Sequence, residues 1–89
     1  MGYRISPPEQ MINGIGYQLM GSKQYDRSFY FFNLNIENYP GSFNAYDSMG
    51  DFFVAKGDKV KARAYYSKAL AIRDFPDTRD KIQKLQQQQ

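Results

Sequence analysis

The sequence predicts an all-α fold, two helix-turn-helix hairpins closed by a fifth, capping helix, and three observations predict it. Gly16 and Gly50 stand 34 residues apart within the same sparse apolar template. Self-similarity at such a period marks a supersecondary unit that cannot bury its apolar face alone and must stack on a neighbour. Breaks at Gly21-Ser22, Tyr39-Pro40-Gly41, Lys56-Gly57-Asp58 and Asp74-Phe75-Pro76-Asp77 divide the chain into five pieces, each bounded by residues that end or start helices. Between the breaks, apolar residues recur at three- and four-residue intervals. The expected organisation is one domain over 1–89, with a first repeat at about 9–42, a second at about 43–76 and a capping helix at about 77–88.

Ser6-Pro7-Pro8-Glu9 opens the first helix, with a capping hydroxyl, prolines where no amide donor is needed and Glu three positions after the cap. Ile12, Ile15, Gly16 and Leu19 form its stripe. The second helix begins near Asp26, with Phe29, Phe32 and Ile36 inward, and ends before Pro40, because the residue preceding a proline avoids helical geometry. Ser42 is placed to cap the third helix, whose stripe is Tyr46, Met49, Gly50 and Phe53. Gly57 suits the left-handed position that closes that helix, and Asp58 caps the next. The fourth helix carries Ala62, Tyr66, Ala69 and Leu70 inward. From Asp77 the last helix offers only Ile82 and Leu85 on a polar surface, the thin stripe a terminal cap needs.

Composition narrows the chemistry. There is no Cys and no His, which excludes thiol and imidazole nucleophiles, Cys/His zinc sites and disulfides. No cofactor or metal is expected. No apolar run approaches the 18 or so residues needed to cross a bilayer, and Met1-Gly2-Tyr3-Arg4 lacks the apolar stretch of a signal peptide. A membrane partner is therefore not expected; the chain reads as cytoplasmic or as a piece of something longer, and its compartment is left open. Eight Tyr and seven Phe are more rings than two repeats easily hide, so some should be partly exposed.

On a 34-residue template, Ile12, Ile15, Gly16, Leu19, Tyr25, Phe32 and Pro40 in the first unit, and Tyr46, Met49, Gly50, Phe53, Gly57, Ala62, Tyr66 and Ala69 in the second, resemble the tetratricopeptide repeat. Ser28 and Asn35 stand where that family has small alanines. The second proline falls 36 rather than 34 residues after Pro40, which predicts a last connection longer by two residues. The resemblance implies a right-handed α-solenoid fragment and a non-catalytic interaction or scaffold module. The joint from Leu34 to Gly50, with Asn13, Gly16 and Tyr17, is similar to the repeat tail that follows the catalytic domain of some bacterial α/β-hydrolase-type esterases and β-lactamase-like serine hydrolases. It implies an accessory domain whose partner is an upstream catalytic domain; no catalytic residue transfers, since the chain lacks a Gly-x-Ser-x-Gly elbow.

By that resemblance the first helix of each hairpin lines a groove, giving Asn13, Tyr17, Met20, Asn44, Asp47, Asp51 and Val54, with Gln10 beside them, as candidate peptide contacts. Asp47 and Asp51 lie one turn apart, where like charges repel unless a cation shares them. That cation is either a basic ligand or an internal partner such as Arg79. An acidic pair disfavours capture of a partner's terminal carboxylate and favours an extended neutral or basic segment, the reading of the chain as a free-standing adaptor. Phe29, Tyr30, Phe31 and Phe32 are consecutive on one helix and cannot all face one core. Tyr30 and Phe31 are left to cover a neighbouring helix or to dock another domain. Lys56, Lys59, Lys61, Arg63, Lys68 and Arg73 against Asp58 give residues 56–73 a charge of +5. The expectation is a solvated outer face rather than a specific nucleic-acid site, since no aromatic visibly interleaves it. Weak self-association through an uncovered end of the stack is the remaining structural alternative.

Overall fold

The computed structural model describes residues 8–87, and within them every regular element is helical: α1 (Glu9–Gly21), α2 (Tyr25–Asn38), α3 (Phe43–Lys56), α4 (Lys59–Ile72) and α5 (Pro76–Gln87). The expected cap at Ser6, with Pro7, lies outside the described residues. Glu9 and Ser42, expected at two separate caps, are joined instead: the Ser42 hydroxyl donates to the Glu9 carboxylate and makes no cap bond to its own helix. The start of α1 is thereby tied to the start of α3.

Helices pair as α1 with α2 and α3 with α4, α3 also packs on α2 and α1, and α5 packs on α4. Both pairs close on an invariant geometric device. A Cβ at Gly16 would lie 2.6 Å from the Phe32 ring, and one at Gly50 would run into the Tyr66 ring. Glycine is required at both because the ring of the partner helix occupies the space a side chain would take. Phe32 and Tyr66 are themselves 34 residues apart.

The turns repeat in the same register. At the end of α3, Gly57 adopts φ 80° and the Asp58 amide donates to the Phe53 carbonyl at 2.9 Å. At the end of α1, Lys23 adopts φ 63° and the Gln24 amide donates to the Leu19 carbonyl at 2.9 Å. Each is a left-handed closing residue followed by a bond reaching back five residues. In the first turn that residue is not the glycine the sequence offers, because Gly21 is absorbed into the helix.

Four expectations are corrected. The last connection is not longer: residues 73–75 join α4 to α5, against 39–42 between α2 and α3. Pro76 does not end the connection but begins the helix, where its missing amide proton costs nothing. Helix α3 buries Phe52, 3 % exposed, while Phe53 is only half-buried, because α3 is packed on two sides. Phe52 meets Tyr25, Phe29 and Phe32 of α2, and Phe53 stacks on Tyr65 of α4. Phe29, expected inward, remains 39 % exposed. The polar residues in place of alanines are buried: the Ser28 hydroxyl donates 2.8 Å to the Gly16 carbonyl, and Asn35 is fully enclosed.

Candidate functional site

Helix α3 is the centre of the molecule, and its polar face builds the main cluster. Asp47 and Asp51 project one turn apart from α3, as helical spacing requires. Opposite them α5 presents Thr78, Lys81 and Leu85 at three- and four-residue intervals. Leu85 enters the core with Ala62 and Tyr66, which fixes the rotation of α5 and aims Lys81 at both carboxylates. The Lys81 ammonium lies 3.0 Å from Asp47 and 3.2 Å from Asp51, and the Thr78 hydroxyl donates to Asp47 at 3.2 Å. Arg79, named from the sequence as the internal cation, lies round the helix on the exposed side and pairs with Asp74 at 3.0 Å.

Asp51 also ties both hairpins together. It accepts from the Tyr17 phenol of α1, which is bifurcated toward the Ser48 hydroxyl at 3.3 Å, and from the Tyr66 phenol of α4 at 2.5 Å. Lys81 sits 5.6 Å over the Tyr66 ring. Burial, then the bond to Asp51 and the nearby carboxylates, pushes both phenols well above their ordinary value. Burial alone would lower the Lys81 ammonium, but Asp47 and Asp51 outweigh it and hold it above its ordinary value. At neutral pH Tyr17, Tyr66 and Lys81 therefore keep their protons, which suits a joint between α1, α3, α4 and α5.

Of the groove candidates, the structure brings Tyr17, Asp47 and Asp51 into this cluster. Asn13 and Asn44 are half-buried, Met20 packs against the core of Phe32, Met49 and Phe52, and Val54 is 43 % exposed. Tyr66, Thr78 and Lys81 are the members that sequence reasoning did not name as site residues. The signal for Lys81 was present: it follows Asp47 by one repeat length. Among the described residues, no group of three or more acidic, His or Cys side chains could hold a metal ion.

A second candidate surface lies on α2. Tyr30 is 61 % exposed and Phe31 half-buried, their rings perpendicular at 5.3 Å. A third corrects the reading of the basic run: aromatic rings do underlie it. Lys56 lies 5.0 Å over Tyr25, Lys61 5.4 Å over Phe53 and Lys68 5.1 Å over Tyr65. No helix among the described residues is long and apolar enough to cross a membrane. No protein-family model matches the chain, and neither a curated protein nor a solved structure does.

Proposed function

We propose that the chain is a tetratricopeptide-type module, two hairpins and a capping helix in solenoid register, that docks another protein through the outer face of its first hairpin. The register supports the architecture: α1, α3 and α5 begin at residues 9, 43 and 76, and the Gly16–Phe32 and Lys23 features recur as Gly50–Tyr66 and Gly57.

The observation that carries the function is an interface used once and left open once. In the second hairpin Met49, Phe52, Phe53 and Tyr65 pack with Phe32 of α2 in one core, and Ala45, one turn before Met49 on the same face of α3, is fully buried. Their counterparts one repeat earlier are Ile15, Gln18, Leu19, Phe31 and Met11. Ala45 is fully buried, whereas Met11 in the same register is 57 % exposed, next to a helix that also exposes Tyr30. Exposed apolar area of this kind marks contacts between domains. The partner we favour is an upstream hydrolase domain, the arrangement the resemblance implies, with the present chain as its non-catalytic accessory region. Groove binding of a neutral or basic peptide has weaker support, because Lys81 already neutralises much of the acidic pair.

The test is the reading frame upstream of Met1. The proposal expects a hydrolase domain there that binds the separately produced chain, with Tyr30→Ala and Phe31→Ala weakening that binding roughly tenfold or more. Unchanged binding by both variants defeats it.

A further inference from the structure

The geometry points to a second interaction surface, on a different face of α2 from Tyr30, that binds an acidic amphipathic segment of a partner protein. Its framework is a continuous ladder of rings: Tyr25 against Phe52 at 6.2 Å, Phe29 between Phe52 and Phe53 at 5.6 and 6.4 Å, and Phe53 stacked on Tyr65 at 5.5 Å. Three helices contribute, so no single stretch of sequence announces it. Phe29 remains 39 % exposed and Tyr25, Phe53 and Tyr65 are half-buried, which leaves an apolar strip open between α2 and α4.

Along this strip lie the three ammonium groups of Lys56, Lys61 and Lys68, each over one ring. A ring face attracts a cation without neutralising it. Among the described residues, none of the three pairs with a carboxylate. At the end of the strip a surface depression is lined by Lys23, Tyr25, Arg27 and Lys56 with a single carboxylate, Asp26. The surface therefore offers apolar contact and uncompensated positive charge together. Carboxylates spaced along a helix, with apolar residues on the same face, match both features.

The geometry of the rings decides between an acidic protein segment and a single-stranded nucleic acid. Base stacking needs an open ring face. Here the lysines lie over the faces of Tyr25, Phe53 and Tyr65, and Phe53 and Tyr65 cover one another at 10° between planes. An acidic side chain needs only the ammonium groups, which stay accessible where they are.

The surface is separate from the outer face of the first hairpin, so its failure and that of the docking reading are distinguishable. The probes are a fluorescent amphipathic helix of Glu and Leu, its Lys-for-Glu counterpart and oligothymidylate, titrated into the intact chain by anisotropy. The Glu peptide is expected to bind in a salt-dependent manner, and Lys61→Gln with Lys68→Gln to weaken it roughly tenfold while thermal unfolding stays unchanged. Amide shifts in an NMR titration should cluster at Lys56, Lys61, Tyr65 and Lys68. Absence of Glu-peptide binding, equal binding of the Lys peptide, tighter binding of oligothymidylate, or insensitivity to the double substitution overturns the proposal.

Discussion

Lys81 illustrates how much one side chain decides. Its ammonium holds two carboxylates that would otherwise repel, and through Asp51 it is linked to phenols from both hairpins. Removing one partner of such a group leaves the other unsatisfied, which costs more than the bond is worth. Lys81→Gln should lower stability by roughly 1–2 kcal/mol in chemical denaturation. The same cluster sets a pH dependence. Tyr17, Tyr66 and Lys81 all keep their protons to higher pH folded than unfolded, so above their ordinary values of 10.0 and 10.5 the native state binds more protons and stability falls as pH rises. Below pH 10 their contribution is fully present. Denaturation followed from pH 8 to 11 should show a decline beginning near pH 10, and Lys81→Gln should soften it. A flat profile would mean that these contacts are not formed. Asp47 and Asp51 were legible from helical spacing alone. The cation was not, because choosing Lys81 over Arg79 needs the rotation of α5, and that is set by Leu85 entering a core built from α4.

At the scale of elements, the two hairpins use one plan with unequal chemistry. Each is closed by a left-handed residue, Lys23 in one and Gly57 in the other. A side chain there crowds the following carbonyl and costs roughly 1–2 kcal/mol. Lys23→Gly should therefore stabilise the chain by up to about 1 kcal/mol, while Gly57→Ala should destabilise it by about as much; thermal melts of the two variants should move in opposite directions. Movement in the same direction would contradict the shared turn geometry. Helix existence and the Gly57-Asp58 turn could be read directly, since glycine, a capping aspartate and helical periodicity act locally. What could not be read was which ring faces inward where a helix is packed on two sides. Phe52 and Phe53 are neighbours in sequence, and only the positions of α2 and α4 make the first a core residue and the second a bridge. The role of Pro76 was missed for a related reason: proline ends one helix and begins another equally well, and the chain's return to register at α5 chooses between them.

For the whole molecule, α5 covers the second hairpin, while among the described residues Met11 and Tyr30 of the first hairpin stay exposed. Helix α5 seals the second hairpin with Leu85 and Lys81, giving it a polar outer surface. The first hairpin carries the counterparts of residues that the second hairpin packs against it, and of these Met11 is exposed, as is Tyr30 of α2. Periodicity in the sequence was enough to expect five helices, and the run of four rings from Phe29 to Phe32 to suspect Tyr30 and Phe31. That Met11 stands at a position buried in the second hairpin became visible only when Ala45, its counterpart, proved fully buried. The central proposal is that this exposed face is an interface, and hydrogen exchange tests it most directly when the chain alone is compared with the chain bound to the proposed hydrolase domain. The account predicts slower exchange in the bound chain across α1 and the Tyr30–Leu34 turn of α2, with α4 and α5 unchanged. Identical exchange of α1 and α2 in the free and the bound chain would contradict it.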